Sequence, residues 1–191
     1  MGYTWGMAKI VGTPPASPRR GLLGTLAAGI SPAARMRAEM TEGAGLHRLL
    51  ELVGQLPDSV TAVVRPGLGF FMKIDCCLIG PGKVLAIDTV HWTGKVTAGQ
   101  HEEWTGALGT DLGRPDRRAF VFADRLAFGG QVGDRVVEPV VICTGGAVDL
   151  QGLKPLAPVI PWNEAPSFLG AAFSPGPAGD VAALVKLLTS P

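Results

Sequence analysis

Between Ser59 and His91 the apolar residues fall into three runs, Ser59 to Arg65, Phe70 to Ile79 and Lys83 to His91, separated by Pro66-Gly67 and by Gly80-Pro81-Gly82. Short apolar runs closed by turn residues predict a meander of three strands, with Lys95 to Thr97 as a short fourth. Upstream, Leu46, Leu49, Leu50 and Val53 recur at helical spacing, so a helix lays one face on that sheet until Pro57-Asp58-Ser59 stops it. An earlier helix, opened by Ser31-Pro32, is expected to be interrupted at Gly43 and Gly45. Downstream, Asp116 is expected to cap a helix reaching about Phe128, with Ala119, Phe120, Ala123, Leu126 and Ala127 as its buried stripe. Glu138 to Cys143 predicts a Val/Ile-rich central strand, and Ala157 to Pro161 another. Asp180 is expected to cap a last helix with Val181, Leu184, Val185 and Leu188 on one face. Gln100 to Arg114, polar and glycine-rich around Trp104, reads as an exposed excursion, and Pro166 to Gly179 as a loop.

This order, helix, meander, helix, strand, strand, helix, describes an α/β fold: a mixed sheet flanked by helices. With 191 residues and 47% hydrophobic content the chain can bury one sizeable core, which argues for a single domain over residues 32–191. Residues 1–31 carry little periodicity and include Gly12-Thr-Pro-Pro-Ala-Ser-Pro18, so they are expected to form a flexible tail. No apolar run is long enough to span a membrane, and Gly21 to Gly29 after Arg19-Arg20 only faintly imitates a secretory signal; a cytoplasmic protein is expected. The formal charge of +1 neither supports nor excludes a nucleic-acid partner, and any attraction must come from a local patch. Cys76, Cys77 and Cys143 suit buried thiols in a reducing compartment; a zinc site from His91, His101 and a cysteine lacks a recurring ligand spacing.

Candidate chemistry concentrates between Lys73 and Lys95. Asp75 stands near the start of one apolar run and Asp88 near the end of the next, and antiparallel pairing about Gly80-Pro81-Gly82 would carry both carboxylates to one place. Carboxylates held together are costly unless a cation or a proton lies between them, which points to a divalent metal and phosphoryl chemistry. Spacing alone equally allows two strand-end carboxylates satisfied by solvent or backbone amides. Val90 shares the strand face of Asp88 because side chains alternate with period two.

The pieces Gly43-Ala-Gly-Leu-His47, Ile74-Asp75-Cys76, Gly80-Pro81-Gly82 and Ile87-Asp88-Thr-Val90-His-Trp-Thr-Gly94 resemble, in order and spacing, the nuclease-related domain (NERD) family of the PD-(D/E)XK nuclease superfamily. The resemblance runs from about Gly43 to the last helix and implies a restriction-endonuclease-like sandwich. It implies that Asp75 and Asp88 are the acidic positions that bind Mg²⁺, and that His91 and Trp92 stand where the family often has a basic and an aromatic residue, so that with Lys95 they are the expected nucleic-acid contacts. Two departures bear on activity: Leu46 stands where the family's helix has Glu, and Val90 where it has the catalytic lysine. Lys73, on the strand face of Asp75, is a candidate replacement, with Lys95 beyond the Thr93-Gly94 turn a weaker one. The basic residues Arg114, Arg117 and Arg118 read as a solvated helix start or as phosphate contacts. Three readings therefore stand: an impaired nuclease-related domain that binds nucleic acid, an active nuclease using Asp75, Asp88 and Lys73, or a protein-interaction module. With one ligand fewer, Mg²⁺ is expected to bind weakly or not at all, and Val90 is expected to face an open cleft.

Overall fold

The structure, a computed structural model, describes residues 8–12, 32–68, 73–98, 102–150, 152–173 and 180–190, with the backbone alone described for 32–42 and 108. The chain opens with strand β1 (Lys9–Val11) and a long helix α1 (Pro32–Val53), then forms β2 (Thr61–Val64), β3 (Cys76–Ile79) and β4 (Lys83–Val90). Four short strands follow, β5 (Gly94–Lys95), β6 (Thr97–Ala98), β7 (Trp104–Thr105) and β8 (Asp111–Gly113), and lead into α2 (Pro115–Phe128). The chain continues through β9 (Val136–Cys143), β10 (Val148–Asp149), β11 (Val159–Pro161), α3 (Ala165–Ala172) and α4 (Ala182–Thr189). The main sheet has the order β1-β2-β3-β4-β9-β11. The meander β2-β3-β4 is antiparallel, whereas β9 runs parallel to β4 after crossing over through α2.

β4 is the centre of this arrangement. Every residue from Val84 to Val90 is buried, because helices cover both sheet faces. Leu85 and Ile87 point toward α1 and α3, where they join Leu46, Leu49, Val53, Ile142, Leu169 and Phe173. Val84 and Ala86 point the other way and join Phe122 and Leu126 of α2 and Leu184 and Leu188 of α4. A third cluster closes one end of the sheet with Val90, Val96, Trp104, Ala119, Val141 and Ala157. Among the described residues no helix is long and apolar enough to cross a membrane.

Several local expectations change. Gly43 and Gly45 do not interrupt a helix; α1 runs through both. A Cβ on Gly45 would sit 2.7 Å from Thr89 Oγ1 and 3.2 Å from Thr144 Oγ1, so that glycine lets the helix approach the sheet. Within the segment expected to be a tail, Lys9–Val11 pairs in parallel with β2 as an edge strand, and Ala8 is buried; the rest of 1–31 lies outside the described residues. The expected run from Phe70 narrows to Cys76–Ile79, preceded by a single bridge between Gly67 and Lys73, while 69–72 lie outside the described residues. The excursion before α2 folds into the small sheet β6-β7-β8 with Trp104 buried beneath it. In the expected loop after Pro166, residues Ala165–Ala172 are helical, with Ala165 and Leu169 buried. Asp116 does not cap α2 in the expected way: it is buried, takes Arg114 as ion-pair partner at 2.9 Å and accepts the N–H of Leu156 at 3.0 Å.

β4 and β9 end in close contact. The N–H of Thr144 donates to the carbonyl of Val90 at 2.9 Å, and the Cys143 thiol donates to that of Trp92 at 2.8 Å. A Cβ on Gly145 would lie 2.2 Å from the Trp92 carbonyl oxygen, a backbone atom that cannot swing aside. Gly145→Ala is therefore expected to cost about 1–3 kcal/mol or more in urea unfolding. Gly82→Ala, where nothing lies within 4 Å, should be close to neutral. Equal stability of the two variants would contradict the close approach of these strand ends.

Candidate functional site

The β3–β4 register pairs Cys76 with Ile87, so the preceding residue, Asp75, in a bend just before β3, stands level with Asp88. The two carboxyl groups are neighbours, and both the charge of Asp75 and its side chain beside Asp88 raise the Asp88 carboxyl. Asp75 Oδ2 also accepts the backbone N–H of Thr89 at 2.9 Å and its hydroxyl at 2.5 Å. Its main chain is pinned as well, because Arg65, in the left-handed region at φ 49°, donates its N–H to the Asp75 carbonyl at 2.8 Å.

Asp88 is only 1% exposed, and Arg118, the fourth residue of α2, reaches it with Nε 2.5 Å from Oδ2. Burial is the largest influence on Asp88 and pushes its carboxyl up to about 8. The charge of Asp75 acts in the same direction, and the Arg118 guanidinium opposes both without cancelling them. Arg118 alone would favour an ionised Asp88; removal from water outweighs it.

On the opposite sheet face, at the same strand ends, α1 brings Arg48 to the carbonyl of Thr144 and over the ring of Trp162 at 4.6 Å from its centre. His91 Nδ1 lies 3.2 Å from Thr144 Oγ1. Polar groups from β3, β4, α1, α2 and the turn after β9 therefore gather at one end of the sheet, around the ends of two parallel strands.

The pair is a poor host for a resident divalent ion. Mg²⁺ demands near-octahedral oxygen coordination, yet among the described residues no group of three or more His, Cys, Asp or Glu is placed to hold a metal. Asp75 Oδ2 already accepts two hydrogen bonds from Thr89, and Asp88 Oδ2 holds Arg118. Cys76, Cys77 and Cys143 are buried free thiols, and burial raises all three above the ordinary thiol range. His101, considered with them for zinc, lies outside the described residues.

Of the residues singled out from the sequence, Asp75 and Asp88 come together. Lys73 is exposed, bridges Gly67 through its backbone and has no ion-pair partner among the described residues. Lys95 is exposed on β5, which pairs with β10. Trp92 is half-buried with its ring against Gly106, where a Cβ would lie 2.4 Å from the indole, and its buried indole N–H has no partner among the described residues. The ring is engaged in packing and does not stand free as a stacking platform. Leu46 is fully buried in the core beneath α1. Val90 does not face an open cleft: at 8% exposure it belongs to the third core cluster, packed with Ala119 and Trp104.

Comparison with protein-family models, with curated proteins and with solved structures finds no match to this chain. What the sequence did not single out for this site is the ion pair of Arg118 with Asp88. The signal was present: Arg118 lies four residues before Phe122 and eight before Leu126, on the stripe of α2 that faces the sheet. Thr89, a polar residue in an otherwise apolar strand, was the other sign.

Burial of Val90 among apolar side chains replaces the open cleft expected there. An ammonium at this position would have to be accommodated among apolar side chains, so Val90→Lys is expected to lose more than about 3 kcal/mol of stability. Thermal melting checks this, and an unchanged melting curve would show that the position opens to solvent after all.

Proposed function

We propose that the chain is a nuclease-related domain of the PD-(D/E)XK type that has lost phosphodiester cleavage and retains nucleic-acid binding at the Asp75–Asp88 end of its sheet. The observation that carries this reading is the pairing of Asp75 with Asp88 across an antiparallel turn. It occurs in the element order α1-β2-β3-β4-α2-β9 with β9 parallel to β4. That combination of topology and acidic positions is what the sequence resemblance implies for a restriction-endonuclease-like sandwich.

The loss of cleavage follows from charge. Hydrolysis of a phosphodiester needs a positioned water and cationic groups that meet the charge developing on the phosphate. Val90 and Leu46 are buried and apolar where the family has its lysine and its glutamate, so neither supplies such a group. Loss of one preorganised donor costs on the order of a hundredfold to a thousandfold in rate. Arg118 is cationic, but its Nε is directed at Asp88. Binding asks less. The exposed Arg65, with Arg48 at the same end, supplies local positive charge in a chain whose formal net charge is only +1.

Incubating the purified protein with plasmid, single-stranded DNA and RNA in Mg²⁺ or Mn²⁺ is expected to give no cleavage above background. Robust cleavage abolished by Asp88→Asn would overturn the proposed loss of activity. In parallel, filter binding of single-stranded DNA is expected at low salt and should weaken steeply as salt rises. No binding at low salt would remove the nucleic-acid half of the proposal and leave a protein-interaction module.

A further inference from the structure

We propose that Arg118 is a built-in counter-ion that occupies the place of a divalent cation at the Asp75–Asp88 pair and locks that pair against metal. This rests on the reading of the pair as a former cation site. Asp88's side chain is 2% exposed whereas that of Arg118 is 46% exposed, so the guanidinium is the outer partner and lies between the carboxylate and solvent. Contact at 2.5 Å through Nε places the positive charge directly on Oδ2, the oxygen a metal would also use.

The arrangement is a side-chain lock on a fixed helix. Two residues before Arg117's neighbour Arg118, Asp116 ties the start of α2 to Arg114 through contacts of 2.9 and 3.1 Å and to the Leu156 N–H at 3.0 Å. One residue after it, Ala119 is fully buried against the cluster that holds Val90 and Val141. The helix start is therefore held in place, while the Arg118 side chain it carries is half-exposed. Swinging out would break its charge-assisted contact with Asp88. Apolar Val90 and Leu46 fit the same account, because a pair already neutralised from α2 needs neither an ion nor further polar groups around one.

The lock predicts that Arg118 and a divalent cation are interchangeable. The full chain, Arg118→Ala, Arg118→Gln and the double variant Arg118→Ala/Asp88→Asn are titrated with Mn²⁺ at pH 8, following free ion by electron paramagnetic resonance and stability by thermal melting. Unaltered protein is expected to take up essentially no Mn²⁺ at about 1 mM, and its melting temperature should not move. Arg118→Ala should melt roughly 10 °C lower. Both Arg118 variants should bind Mn²⁺ on the order of tenfold or more tightly than the unaltered protein, and recover melting temperature as they do. The double variant should show neither effect.

Equal Mn²⁺ uptake by unaltered protein and the Arg118 variants would overturn the lock while leaving the cation-site reading intact. Folded Arg118 variants that still ignore Mn²⁺ would overturn both, as would Mn²⁺ binding that survives in the double variant. Should the Arg118 variants be unfolded without metal, refolding on addition of Mn²⁺ supports the lock and failure to refold overturns it.

Discussion

Two carboxyl groups brought face to face, one of them sealed from water, set the terms for one whole end of this molecule. The β3–β4 register creates the problem by placing Asp75 across from Asp88, and burial beneath α2 makes it severe. Its solution draws on three elements. Thr89 donates twice to Asp75, α2 contributes the Arg118 guanidinium to Asp88, and burial lets the Asp88 carboxyl hold its proton more readily than an ordinary aspartate. None of these suffices alone, because two unneutralised charges in a low-dielectric site repel each other strongly.

The surrounding fold makes that solution rigid. α2 is both the crossover that makes β9 parallel to β4 and the carrier of Arg118, so the connection that builds the sheet also delivers the counter-ion. Its buried stripe of Ala119, Phe122, Ala123 and Leu126 fixes the rotation of the helix, and with it the direction in which Arg118 points. On the other sheet face, Gly45 permits α1 to press onto Thr89 and Thr144, which steadies the residue that donates to Asp75. Packing and electrostatics are coupled here through single residues, and the apolar Val90 belongs to the packing side.

Much of this could be read from the chain. The strands around Gly80-Pro81-Gly82 and the helices bearing Leu49, Val53, Ala123 and Leu126 declare themselves through local periodicity, and the convergence of Asp75 with Asp88 follows from counting residues about a turn. Features that depend on distant partners were not legible. Lys9–Val11 is a strand only because β2 has a free edge, and Gly45 resembles a helix breaker until the sheet beneath it is known. Burial of Val90 requires Ala119, Trp104 and Val141, which lie far away in sequence. The pairing of Arg118 with Asp88 spans 30 residues, and a basic residue near a helix start has a solvated reading that nothing local removes.

The account stands on the two carboxyls sharing one buried place, and a carbon-13 NMR titration of the aspartate carboxyl carbons measures that most directly. Asp88 is expected to stay protonated through neutral pH and to lose its proton with a midpoint near 8, because burial and the neighbouring Asp75 both disfavour its charge. In Asp75→Asn the midpoint should fall, since the second largest cause of the shift has been removed. A midpoint in the ordinary aspartate range, below about 5, in both proteins would contradict the buried pair and the reading built on it.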